Sequence, residues 1–307
     1  MPEIGHVPSG ASEVDARLRP SRLKTGDFLG VSVAQIHRTA VVEDGADLAD
    51  DVVVEAYARI GATAKLGAGC LVKHGAIIES GTYGRNNTIH PYACVGVTPQ
   101  DKKYRGEKTS LLVGDNNTIR EHVTISIGTE GGGRITKIGD NNLFMASSHV
   151  GHDCVIGNHC IIANFAGIAG HCRLDDFAIV GGQAGLHQFV RVGTSVFVGG
   201  GSKVGKDVPP FTFAQGYPAR LRGINAVGLQ RRQLGDDTVR ALKRAYRSIF
   251  YSEEGFEANV ARTREEHGGK REVLQFLEFL EESTSSGRGF IRPDRGEEKE
   301  LDKDELF

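Results

Sequence analysis

The chain has 307 residues, 41 glycines, no tryptophan and a formal net charge of −2. That balance provides no global basic field for nucleic acid, and no apolar run approaches the ~18 residues of a membrane span. The opening MPEIGHVPSGASEVDARLRP lacks the apolar core of a secretory signal, so a cytoplasmic location with reduced thiols is expected.

In chain order, residues 1–30 are polar and charged and read as a disordered extension. From Ile36 an aliphatic residue returns every sixth position: Val42, Leu48, Val54, Ile60, Leu66, Val72, Ile78. One residue then drops out before Tyr83, Ile89 and Val95, and the period resumes at Val113, Ile119 and Ile125. It runs unbroken from Ile138 through Phe144, Val150, Ile156, Ile162, Ile168 and onward to Val204. The following position is often glycine (Gly61, Gly114, Gly139, Gly181), and the fifth slot is small or β-branched (Ala58, Cys70, Cys154, Cys160, Cys172, Val190).

A period of six fits no helix but is compatible with the strand period of two plus a corner. Three such units close a coil of about 18 residues, so 31–210 is expected to form a β-helix of the hexapeptide kind. The first and fifth slots point inward, and the glycines are expected to relieve corners of positive φ. Four of the five cysteines occupy the fifth slot and read as small core residues.

The repeat breaks at 96–112 and 126–137, which are expected to be loops on a working face. The first carries PQDKKY, Pro99 to Tyr104. Pro209 and Pro210 cannot continue a ladder, so 211–235 is read as a connecting segment. Residues 236–292 have helical texture: Asp236 or Asp237 can N-cap, and Val239, Leu242, Tyr246, Ile249 and Phe250 share a face. A second helix is expected within 272–282, and 293–307 reads as a disordered charged tail.

A solenoid interior is filled by side chains, so chemistry must lie outside it. His149, His152, His171 and His187 fall on neighbouring coils of one face, with His159 nearby. Such a group could hold zinc, or one imidazole could act as a general base. Asp153, next to His152, could orient the ring. No carboxylate stands at an obvious spacing to complete a metal set, which favours the base.

The runs PQDKKY, SSHVGHDCVIGNHCIIAN, IAGHCRLDDFAIVGG, GLHQF, DVPPF, AQGYPARLRGIN, GLQRR and SSGRGFIR together resemble the UDP-N-acetylglucosamine O-acyltransferases that begin lipid A synthesis. The resemblance spans about Ile36 to Arg292. It implies a mainly β fold, a left-handed parallel β-helix followed by a small α-helical C-terminal domain, assembled as a homotrimer. It implies transfer of a 3-hydroxyacyl chain from acyl carrier protein to the 3-position of the UDP-sugar, without metal or cofactor. His152 would be the base, Asp153 its support and the Gly170 N–H an oxyanion donor. Gln100, Asp101 and Lys103 would touch the sugar and phosphates from a neighbouring subunit's loop. His149, His171, His187 and Gln188 would line the cleft, Gly200 would set acyl length, and Asn225, Arg231 and Arg232 would hold the nucleotide. Arg240, Lys243, Arg244 and Arg247 would dock the acidic carrier protein. Val227, Pro218 and Lys203 depart from the family pattern.

Three rivals stand beside this reading, one of them a non-catalytic structural solenoid, which predicts no use for the 96–112 loop. The sister N-acyltransferase carries a separate N-terminal uridine-binding domain, for which about 30 polar residues leave no room. A hexapeptide zinc enzyme of carbonic-anhydrase type would contain stoichiometric metal.

Overall fold

The computed structural model describes residues 33–294. The expected terminal segments, 1–30 and all but the first two residues of 293–307, lie outside the described residues.

Within that span, short parallel strands stack into three faces around a prism. On one face Val53–Val54 pairs with Leu71–Val72, and Leu143–Phe144 with Ile161–Ile162, 18 residues on. The other two faces form one continuous sheet because Arg59–Leu66 and Ile77–Tyr83 run across a corner without breaking. There the coil is one residue short: Ala64 lies over Gly81 and Leu66 over Tyr83. This is the dropped residue of the repeat, and Gly81 takes φ +114° at that point.

The first and fifth slots are buried throughout, from Val54 and Ala58 to Val198 and Val204. Three fifth-slot positions are asparagines, Asn87, Asn117 and Asn142, stacked inside the prism. Asn117 Nδ2 donates to Asn87 Oδ1 at 3.0 Å, the Asn142 N–H donates to Asn117 Oδ1 at 2.9 Å, and the Cys160 N–H to Asn142 Oδ1 at 2.7 Å. Buried amides are tolerable there because the column and adjacent carbonyls supply their partners, except for Asn142 Nδ2, which has none.

The slot-two glycines are required for a different reason than the sequence suggests. Positive φ belongs mainly to the fourth slot, filled by residues such as Asn141, Asp153, His159, His171 and Gln183. Apart from Gly96, which takes φ +72°, and Gly205 at the end of the prism, the slot-two glycines instead lie against the neighbouring coil. A Cβ on Gly61 would sit 2.1 Å from the Glu79 carbonyl oxygen, and one on Gly139 2.7 Å from that of Gly157.

The two interruptions emerge as loops. Leu112 pairs with Thr82 across 30 residues and Ser110 with Ile135 across 25, where an uninterrupted coil needs 18. The second loop contains a short 3₁₀ turn, Glu130–Gly132.

After the last coil, 211–235 is more than a connection. Thr212–Gly216 adds to the first face in parallel, and Ala219–Ile224 folds back on it antiparallel. Helix α1 (Ala226–Arg231) follows, then α2 (Asp236–Tyr251), α3 (Phe256–His267) and α4 (Arg271–Ser285). The N-cap of α2 is Gly235, and Asp236 and Asp237 sit in its first turn, where the helix dipole favours acids. The sequence did not announce α3, which buries only Asn259, Val260 and Thr263 and so has little apolar periodicity. The chain then returns to the prism through bridges of Phe290 to Asp207 and Pro293 to Leu221.

Replacing Gly61 by Ala forces a methyl onto a ladder carbonyl and should lower unfolding free energy by about 1–3 kcal/mol. Gly205, whose Cβ would meet nothing within 4 Å, is the control. Denaturant midpoints should separate the two variants; equal losses would rule out the close-approach explanation.

Candidate active site

The prism spacing assembles a corner from residues far apart in sequence. The Gly170 backbone stacks directly on His152, and Asp153, His171 and Phe189 form the adjoining column. The His171 N–H donates to the His152 carbonyl at 2.9 Å and the Phe189 N–H to that of Gly170 at 3.2 Å. A Cβ on Gly170 would come within 2.7 Å of both Cε1 and Nε2 of His152. Glycine is therefore what lets the imidazole lie against the next coil. Among the described residues, no acceptor takes the Gly170 N–H.

His152 and Asp153 are buried, the Asp153 side chain only 1% exposed. Nδ1 of His152 lies 2.7 Å from Asp153 Oδ2. The same carboxylate accepts the Thr129 N–H on Oδ1 at 2.8 Å and the Thr129 hydroxyl on Oδ2 at 2.6 Å. The Asp153 N–H donates to Thr136 Oγ1 at 2.8 Å. These donors satisfy the buried carboxyl oxygens, which would otherwise be costly to bury. Nδ1 of His152 then points inward, leaving Nε2 beside Gly170.

His171 packs edge-on to His152, with centroids 4.9 Å apart, and stacks on Phe189 at 4.5 Å. Its Nε2 is 4.0 Å from Asp153 Oδ2. Burial pushes the His171 pKa below its ordinary value, opposed by the charges of Asp153 and of Asp101 in this same chain. His149, bonded through Nδ1 to Thr124 Oγ1 at 2.7 Å, is also lowered, first by burial and then by the charge of His152. Asp101 thus lies within electrostatic range of His171, whereas Gln100 and Lys103 are exposed on the first loop.

The cluster is tighter than sequence spacing implied. His152, Asp153 and His171 offer ligand atoms all within 4.8 Å of one another, so a carboxylate does complete a potential metal set. Its Oδ2, however, already accepts from His152 Nδ1 and Thr129 Oγ1. A cation there would have to displace those bonds, so the donor set fits an orienting pair better than a metal centre.

His187 and Gln188 are exposed, and Nδ1 of His187 lies 3.2 Å from the Gln188 carbonyl. His159, grouped with these histidines on sequence, sits on another corner and stacks on Phe177 at 4.8 Å. That second corner carries the other set of candidates. The Arg232 guanidinium lies 3.8 Å above the Phe177 ring and hydrogen-bonds the Ser195 hydroxyl. Asn225 Nδ2 donates to the Ser195 carbonyl at 2.9 Å, while its Oδ1 caps α1. Arg231, the last residue of α1, is exposed. One chain therefore holds the imidazoles and these arginines on different corners.

A strip without side chains starts at His149. Across the coils His149 pairs with Gly167, Gly167 with Gly185 and Gly185 with Lys203. A Cβ on Gly167 would meet nothing within 4 Å, but one on Gly185 would be 3.1 Å from Lys203 Nζ. Gly200 lies close to the coil below, its Cβ position 3.2 Å from the Gly182 carbonyl.

Sequence reasoning missed Thr129 and Thr136, which lie within the second interruption. The break in the repeat was the only signal of them.

Comparison with known proteins agrees with this architecture. Residues 207–291 match the family model for the second domain of UDP N-acetylglucosamine O-acyltransferase, and 135–170 match the bacterial transferase hexapeptide model. The acyl-[acyl-carrier-protein]–UDP-N-acetylglucosamine O-acyltransferase of Syntrophobacter fumaroxidans is 47% identical over 84% of this chain and 100% of its own length. That of Thermodesulfovibrio yellowstonii is 42% identical over 84% and 99%. The solved LpxA of Acinetobacter baumannii superposes with a TM-score of 0.80 at 38% identity, covering 84% of this chain and 99% of that one. The UDP-N-acetylglucosamine acyltransferase of Campylobacter jejuni gives 0.79 at 39% identity, covering 85% and 100%. With sequence, family model and fold in agreement along the length of its relatives, the chain belongs to the acyl-[acyl-carrier-protein]–UDP-N-acetylglucosamine O-acyltransferase family.

Proposed function

We propose that this protein transfers a 3-hydroxyacyl group from acyl carrier protein to the 3-hydroxyl of UDP-N-acetylglucosamine, the opening step of lipid A synthesis, with His152 as general base. The observation that carries the mechanism is the 2.7 Å contact of His152 Nδ1 with a buried carboxylate, which turns Nε2 outward as the acceptor.

Nε2 takes the proton of the sugar hydroxyl as that oxygen attacks the thioester carbonyl. The Gly170 N–H receives the developing oxyanion. Collapse breaks the carbon–sulfur bond, and His152 returns the proton to the departing thiol. Asp153 keeps the ring in one tautomer and stabilises the imidazolium. Burial lowers the pKa of His149 and His171, which disfavours competing positive charge beside the base.

Asn225, Arg231 and Arg232 hold the nucleotide in this reading, and Gln100, Asp101 and Lys103 the sugar and phosphates. Because the arginines and imidazoles occupy different corners of one prism, a complete site needs corners of two subunits, and a homotrimer supplies them. Phe189 and Phe165, 53% and 63% exposed on their corners, are apolar surface suited to such a contact. The exposed Arg240, Lys243 and Arg244 of α2 would steer the acidic carrier protein. Among the described residues no helix is long and apolar enough to cross a membrane. The acyl chain would follow the glycine strip past Gly200, with His187 and Gln188 at its side.

Three outcomes test the reading. His152→Ala should cut product formation from UDP-N-acetylglucosamine and 3-hydroxyacyl carrier protein by about 10²–10⁴-fold, and survival of near wild-type turnover would refute the base assignment. Lys203→Ala should move the preferred acyl group toward longer chains, by roughly tenfold for one or two added methylenes at ~0.8 kcal/mol each. An unchanged ranking would remove Lys203 from the groove.

The third outcome is a stability profile. The folded state lowers the pKa of His149 and His171, so the unfolded chain binds more protons just below the ordinary value of about 6.5. Stability should therefore be full above that pH and fall as pH drops through the lowered values. His149→Gln/His171→Gln should flatten this decline, read as thermal midpoint against pH.

A further inference from the structure

We infer that Thr129 is a positioning residue: through Asp153 it holds the tautomer and aim of His152. The inference deepens the proposed reading and rests on it for its effect on rate, though not for its effect on the ring.

The second insertion leaves the prism at Ser126 and returns at Ile135. Thr129 lies between them, 7% exposed, and both of its donors go to one carboxylate. Thr129 occupies the N-cap position of the Glu130–Gly132 turn, where a threonine hydroxyl ordinarily satisfies a turn N–H. Here it makes no cap bond and is turned to Asp153 instead. The loop is also packed against the carboxylate: a Cβ on Gly132 would lie 2.0 Å from Asp153 Cγ.

The geometry gives the hydroxyl a definite task. Asp153 Oδ2 faces three groups, the Thr129 hydroxyl at 2.6 Å, His152 Nδ1 at 2.7 Å and His171 Nε2 at 4.0 Å. Two imidazoles thus compete for one oxygen. The Thr129 N–H pins Oδ1 and its hydroxyl pins the orientation of Oδ2, which keeps that oxygen on His152. Without the hydroxyl the carboxylate can rotate toward His171, and His152 loses the partner that makes Nδ1 the protonated nitrogen. Outer partners that orient metal-bound histidines are typically worth 10–100-fold, and an effect of that size is expected for this orienting hydroxyl.

Thr129→Val keeps the shape and removes the donor, Thr129→Ser restores it, and Gly132→Ala displaces the loop without touching the hydroxyl. Full-length protein with ¹⁵N-labelled histidine would be assayed for kcat, KM and ring nitrogen shifts. Thr129→Val and Gly132→Ala should lower kcat by 10–100-fold with KM for the UDP-sugar little changed. The His152 signals should move from one tautomer toward a mixture, and Ser should recover both properties. A His152 spectrum unmoved in folded Thr129→Val or Gly132→Ala overturns the inference, as does a Ser variant as impaired as Val. If His152→Ala remains active, the base reading fails, while the ring spectrum still reports whether Thr129 positions His152.

Discussion

Each coil must meet the next at the parallel-ladder spacing of about 4.8 Å, and that spacing governs which side chains the surface can carry. It demands a flat approach at slot-two glycines such as Gly61 and Gly139, where a methyl would strike a carbonyl of the coil above. It also stacks slot-four residues into corner columns, so residues 18 apart become neighbours. Asp153, His171 and Phe189 are together for this reason.

The same constraint explains why a polar site can be buried on the outside of a solenoid. A corner by itself is exposed. Here the second insertion folds back over Asp153 and brings the Thr129 donors, so the buried carboxylate finds hydrogen-bond partners within the protein. The first insertion brings Asp101 within electrostatic reach of His171. The prism provides rigid placement and the loops provide the local environment. This division suits general-base chemistry, which needs a fixed ring with a chosen tautomer.

Much of this was legible in the sequence. The period of six could be satisfied only by short strands with an inward first and fifth slot, and those slots are buried from Val54 to Val204. The missing residue near Ile78 and the two breaks in the count mark the short coil and both loops. The family resemblance was equally readable, because its motifs HVGHD, GLHQF and GLQRR occur in order. What was misread had physical causes. The slot-two glycines were assigned to positive φ, although among them only Gly96 has it; αL at the corners falls to Asp, Asn, His, Phe, Gln and fourth-slot glycines such as Gly69 and Gly75, while most slot-two glycines serve close approach. Helix α3 has too few buried apolar residues to leave a pattern, and the hairpin after Pro210 forms because Thr212–Gly216 extends a face that the preceding coils built.

The sequence by itself determined the prism, since hydrophobic period is a local property that repeats along the chain. It also determined the family, and which imidazoles share a coil position. Tertiary structure alone decided which nitrogen of His152 faces Asp153, that His159 belongs to another corner, and that Thr129 turns from its own cap to the carboxylate. Those are matters of side-chain direction, between sequence neighbours and between residues 18 and 24 apart. Periodicity fixes which coils meet, but only the packed loop and its hydrogen bonds fix where their side chains point.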